Sequence, residues 1–139
     1  MAAPPQALVL LNATLAGAVA ADVTAGVFAS PSGRVESLTL HAVCTVAGGG
    51  TTAKAWVQTS LDGGTTWMDI ASFAFTTSTA TRAYHLTAAA VTAIATPVDG
   101  SLADNTSVNG FLGDRFRVKL TTTGTYTGAS SFVINALPK

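Results

Sequence analysis

Few residues in this 139-residue chain have types and spacing that could do chemistry. His41, His85 and Cys44 are the only soft metal ligands. On a strand, His41 and Cys44 point to opposite faces, which argues against a zinc site. Asp99, Asp104, Asn105 and Asp114 offer oxygen ligands within one stretch. They lack the spacing of a calcium-binding EF-hand and suit turns, where Asp and Asn bond their own backbone. Hydrolysis of a glycosidic bond typically needs two positioned carboxylates. The chain holds one Glu and six Asp, and no spacing marks a pair. There is no Gly-x-Ser-x-Gly elbow, Walker loop or dinucleotide fingerprint. The expectation is a protein without catalytic residues, cofactor or metal.

Two further groups could bind rather than react. Arg115, Arg117 and Lys119 share one face of a strand whose other face carries Phe116, Val118 and Leu120. With a net charge of zero, this stripe is too small to track a phosphate backbone, so no nucleic-acid partner is expected. It reads as a candidate contact with an acidic patch on a partner subunit, or as a device that keeps an exposed strand soluble. Trp56, Trp67, Tyr84 and Tyr126 could stack on sugar rings. Packing in a core or an interface is their commoner use.

One motif has a clear structural meaning. Ser60-Leu61-Asp62-Gly63-Gly64-Thr65-Thr66-Trp67 joins two β-type runs, 55–60 and 67–75. Gly63 and Gly64 supply the positive φ that a tight turn demands, so the segment predicts a hairpin. Asp62 is placed to accept backbone N–H bonds. Ser60 and Thr66 can add side-chain bonds, and Trp67 can anchor one arm.

Elements must position these groups, and composition says which kind. Charged residues are 10% and hydrophobic residues 48% of the chain. The charged share is low against about 25% in an ordinary soluble domain. Threonine, serine, alanine and glycine fill the remainder, a mixture suited to pleated sheet surfaces. A neutral surface of this kind promotes association. Polar residues interrupt every run long enough to span a bilayer, so no membrane partner is expected. The apolar run 7–20 ends in Ala18-Val19-Ala20, but no Lys or Arg precedes it, which argues against a secretory signal. It reads as a strand or as an arm packing on a partner. A single cysteine, Cys44, rules out an intrachain disulfide and reads as a small buried hydrophobe.

Taken in order, the chain predicts one β domain over residues 1–139, with residues 1–6 as an N-terminal arm. Strands are expected at 7–16, 35–46, 55–60, 67–75, 82–87, 115–120 and 130–137. Residues 18–29 fit a strand or a helical turn, and 88–95 a helical turn or an extended edge. Turns are expected at 30–33, 47–52 and 121–128. The clearest alternation is Leu38, Leu40, Ala42, Cys44 and Val46 on one face, with Thr39, His41, Val43 and Thr45 on the other. In the second hairpin arm, Trp67, Asp69, Ala71, Phe73 and Phe75 are expected to share a face, opposite Met68, Ile70 and Ala74. Both faces are apolar, so this strand should be covered by the core and by a neighbour. Residues 97–114 form a long loop, a length usually reserved for function or interfaces. The pattern predicts an all-β fold, an antiparallel β-sandwich or jelly-roll-like barrel with little or no helix.

The spacing Ser60-x-Asp62-x-Gly64-x-Thr66-Trp67 resembles the Asp-box of sialidases and other β-propellers. There the motif is a structural hairpin away from the catalytic site, so the resemblance implies no activity. A second resemblance spans more of the chain. The run 55–71, followed by Gly113-Asp114-Arg115-Phe116-Arg117-Val118, is similar to small β-sandwich structural proteins of tailed bacteriophages. That resemblance implies a virion component present in many copies, assembled in the bacterial host cytoplasm. Its partners would be the major capsid protein or other virion proteins, and its own copies. A capsid decoration (cement) subunit is the leading expectation. A carbohydrate-binding or tail-fibre adsorption module is the alternative.

Overall fold

The computed structural model describes residues 8–15, 22–29, 35–89, 96–113 and 115–139. The arm expected at 1–6, the turn at 30–33, residues 90–95 and Asp114 lie outside these. Period-two patterning dictates the described elements: along 115–122 and 131–136, intermediate and buried residues alternate strictly. The strands are β1 (Leu8–Thr14), β2 (Asp22–Ala29), β3 (Ser37–Thr45), β4 (Gly48–Gly49), β5 (Thr52–Ser60), β6 (Met68–Phe75), β7 (Ala80–Thr87), β8 (Arg115–Thr123), β9 (Tyr126–Thr127) and β10 (Ser131–Pro138). No helix occurs among the described residues.

The eight longer strands pair as a ribbon folded back on itself. β5 pairs with β6, β3 with β7, β2 with β8 and β1 with β10, all antiparallel. Rolling that ribbon sets β10 beside β3 and β8 beside β5. Two four-stranded sheets result, β1-β10-β3-β7 and β2-β8-β5-β6. This strand order is that of a jelly roll. The antiparallel all-β expectation therefore holds, in its jelly-roll form.

The two sheets meet in one apolar core. Leu38, Leu40, Ala42 and Cys44 of β3 join Phe132, Ile134 and Ala136 of β10 on one side. Ala55 and Val57 of β5, Phe73 and Phe75 of β6, and Phe116, Val118 and Leu120 of β8 face them. Phe75 and Phe132 bridge the layers edge to face, with ring centroids 5.2 Å apart. Cys44 is fully buried, and burial pushes its thiol pKa up, so it packs as a hydrophobe.

The strands of the β1-β10-β3-β7 sheet place no fixed charge on its outer face; Lys139, which continues the β10 register opposite Ser37, lies at its margin. These four strands contain a single Asp, Glu, Lys or Arg, namely Arg82. Its guanidinium lies 5.2 Å from the Phe75 ring centroid, on the core side.

Two sequence expectations are corrected. The turns at 47–52 and 121–128 contain a small ladder of their own, in which Gly48 and Gly49 pair with Thr127 and Tyr126. Tyr126 holds it by donating its hydroxyl to the Thr76 carbonyl (2.6 Å) and burying its ring. The second correction concerns β6. Its register against β5 shifts between Ala71 and Asp69. That bulge breaks the alternation, so Ile70 and Ala71 both join the core. Asp69 is thereby turned to the face opposite Phe73 and Phe75, where it meets Gln58.

Phe132 is the test of the shared core. Phe132→Ala removes the ring that bridges the sheets and should cost about 3–5 kcal/mol, read as a lowered urea midpoint.

Candidate functional site

The turn 61–67 joins β5 to β6 and forms the tip of the rolled ribbon. Gly63 and Gly64 adopt φ of 75° and 95°, in the left-handed region that favours glycine. The Asp62 carboxylate sits inside the turn. It accepts the backbone N–H of Thr65 (3.1 Å) and of Thr66 (2.8 Å), the Ser60 hydroxyl (2.9 Å) and the Thr66 hydroxyl. The Ser60 oxygen in turn accepts the Gly64 N–H at 2.8 Å. Trp67 donates its indole N–H to the Gly64 carbonyl at 3.0 Å, closing the turn against the start of β6.

Bonds from Thr66 and Ser60 hold the Asp62 pKa down, from 3.8 to about 2. Because the folded-state value lies below the unfolded one, this stabilisation is complete above pH 3.8 and is lost as pH falls through about 2.

Beside the turn, on the outer face of β5, β6 and β8, lies a polar network that the sequence reading did not single out. Gln58 is fully buried. Its Nε2 donates to Asp69 Oδ1 (2.8 Å) and Asp99 Oδ1 (2.6 Å), and its Oε1 accepts from Arg117 Nε (2.7 Å). Asp69, 5% exposed, also accepts three backbone N–H groups: Gly100 at 2.9 Å, Ser101 at 2.9 Å and Leu102 at 3.0 Å. A buried carboxylate needs such partners, because an unpaired charge out of water is costly.

This network clasps the 96–113 loop over β5 and β6. The loop runs along the free edge of β6. Asp69 N–H donates to the Val98 carbonyl, Ser72 N–H to the Thr106 carbonyl, and Val108 N–H to the Ile70 carbonyl, each at 2.8 Å. Asn105, at φ 55°, accepts the Ala74 N–H, and Asp104 pairs with Lys54 at 3.0 Å. Trp56 is covered as well and donates to the Leu102 carbonyl at 3.1 Å. At the far end, Gly113 N–H donates to Thr59 Oγ1, and a Cβ on Gly113 would run into the Ser60 carbonyl. The neighbour covering the second face of β6 is thus the chain's own loop.

The basic stripe enters the same network. Lys119 Nζ lies 3.1 Å from Asp99 Oδ1, and Arg117 stacks on Trp67 with its guanidinium carbon 4.4 Å from the ring centroid. Burial alone pushes the Asp99 pKa up. Hydrogen bonds from Gln58 and Lys119, with the Lys119 and Arg117 charges, outweigh it and hold the group below its usual value. Burial lowers the Arg117 pKa more than Asp99 and Asp69 raise it. Arg115 is half-buried against the turn, and its Nε has no hydrogen-bond partner among the described residues.

The candidate metal ligands are not brought together. His41 is exposed and Cys44 buried, on opposite faces of β3. No cluster of three or more His, Cys, Asp or Glu side chains forms among the described residues. The aromatic side chains are occupied too. Trp56 is 8% exposed, Tyr126 is buried, Tyr84 donates to the Ser72 carbonyl, and Arg117 covers Trp67. A cavity of about 50 Å³ lies between the loop and β6, lined by Met68, Pro97, Val98, Leu102, Val108 and Phe111 among others. Its volume is far below the roughly 300 Å³ of small-molecule sites.

One signal pointed to this network in advance. Asp69 is a lone acid between Met68 and Ile70, and such a residue must be paired once buried. No family model, curated protein or solved structure matches the chain.

Two measurements check this reading. Asp62→Ala should lower Tm by a few degrees at neutral pH, and its deficit relative to the parent chain should shrink as pH falls from about 4 to 2. Asp69→Ala should cost about 3 kcal/mol or more, because three loop amides and Gln58 lose their acceptor. Hydrogen exchange should speed up at Gly100, Ser101 and Leu102 while the β3 amides remain protected.

Proposed function

We propose that this chain is a non-catalytic structural subunit of a tailed-bacteriophage virion, a capsid decoration protein that stabilises the shell through many weak contacts. The observation that carries the proposal is a jelly-roll domain with one sheet whose four strands place no fixed charge on its outer face. Jelly rolls are at home in capsid and lectin domains, which is support by analogy of fold. The similarity of residues 55–71 and 113–118 to small phage structural proteins points the same way. A charged share of only 10%, with zero net charge, suits a subunit that spends its life against neighbours.

The contact surface this role requires is the β1-β10-β3-β7 face. The stripe Arg115, Arg117 and Lys119 suits it less well, since Arg117 and Lys119 already face Asp99. An adsorption module binding carbohydrate has less support, because Trp56 and Tyr126 are buried and Arg117 lies over Trp67.

The expected outcome is co-sedimentation of the purified chain with DNA-free heads in many copies, with a rise in the temperature at which the shells rupture. Recovery with tails alone, or binding on a glycan array without binding to heads, would overturn the proposal.

A further inference from the structure

An antiparallel sheet exposes two edges, and three of the four long edge strands here are blunted. β1 is bulged between Val9 and Leu11, and the register of β2 is irregular between Thr24 and Phe28. The β6 edge is paired with the 96–113 loop. Such devices stop an edge from pairing with another chain. β7 is blunted least: the loop reaches it only at Thr87, and Arg82 is its one charge. Its register with β3 runs without interruption from Ser37↔Thr87 to Cys44↔Ala80, and it contains no Pro, Gly or Lys.

Backbone parity shows which β7 groups are open. The Thr87 carbonyl accepts from Gly110 N–H, and Thr87 N–H donates to Asn109 Oδ1, so Thr87 turns its backbone away from β3. In an antiparallel strand, alternate residues do the same. Thr81, Ala83 and His85 therefore aim their N–H and C=O groups outward, with no backbone partner among the described residues. All three side chains are exposed.

We infer that β7 is a self-association edge, where a second copy of this chain pairs antiparallel through a two-fold axis at Ala83 and makes one continuous eight-stranded sheet. A two-fold contact must be self-complementary, and this register is. Ala83 exchanges both backbone bonds with Ala83 of the second copy, and Thr81 does so with His85. No outward group of the three is left over. Arg82, the only charge on β7, then faces the Tyr84 ring of the copy, an arrangement that favours cation–π contact. An axis at Arg82 would oppose two guanidinium groups, and an axis at Tyr84 would strand Thr81 against the already capped Thr87. The second copy is favoured over an unrelated extended peptide because one strand supplies matching donors and acceptors to itself. The inference concerns the isolated chain and stands whether or not the chain binds virions.

The test is sedimentation of the full chain across a dilution series. Parent protein should show twice the monomer mass, dissociating on dilution. Ala83→Pro should lose the dimer while keeping its circular dichroism, since the Ala83 N–H points away from β3 and proline there removes no internal ladder bond. Should that variant fail to fold, Ala83→Lys sets like charges against each other across the axis and should also be monomeric. Under mild oxidation, Ala83→Cys should cross-link to its own copy, since paired Cα atoms about 5.5 Å apart admit a disulfide. Thr81→Cys should not, because it faces His85. A parent chain that is monomeric at every concentration would overturn the inference. So would a folded Ala83→Pro that stays dimeric, or equal cross-linking at Thr81 and Ala83.

Discussion

The fold depends on the turn that closes the β5–β6 hairpin. In a ribbon rolled into a jelly roll, the innermost hairpin sets the register for every outer pair: β3 with β7, then β2 with β8, then β1 with β10. Asp62 fixes that turn by accepting backbone and hydroxyl bonds from three residues within four positions of itself. These are local bonds that need no distant partner. The turn can form early, because closing a short loop costs little chain entropy, and the longer pairings can follow from it.

A second constraint follows directly from the first. The bulge after the turn rotates Asp69 out of the core and toward Gln58. A carboxylate in that position must be satisfied, and the amides of Gly100, Ser101 and Leu102 satisfy it. The loop is drawn over Trp56 and along the β6 edge as a consequence. The irregularity in one strand is thus what fastens the longest loop, and the fastened loop is what protects one edge of the sandwich.

The protein divides its surface between two characters. The β2-β8-β5-β6 side carries Lys54, Asp62, Asp69, Arg115, Arg117 and Lys119 on its strands and turn. Asp99 and Asp104 on the loop neutralise most of the cations there. The opposite sheet presents hydroxyls, amides, small apolar side chains and two histidines. The charges of one side are turned into a network of their own, and the strands of the opposite sheet leave few fixed charges to match or to desolvate.

Much of this was legible in residue order. Alternation in 38–46, 115–120 and 130–137 specified strands, because period two is a property of the chain itself and each face declares its environment. The Ser60–Trp67 spacing specified a turn, since glycine φ and aspartate bonding act within a few residues. Tertiary structure alone decided the remainder. The face of Asp69 depends on a bulge whose position follows from pairing with β5, and single-strand periodicity does not encode pairing. The partners of Arg117 and Lys119 come from a loop that precedes them in sequence and reaches them only once the sheets are packed. The pairing of Gly48 with Thr127 joins two segments that each look like turns alone. Which edges are blunted and which is open is likewise a fact of assembly, because an edge exists only after every other strand has found its neighbour.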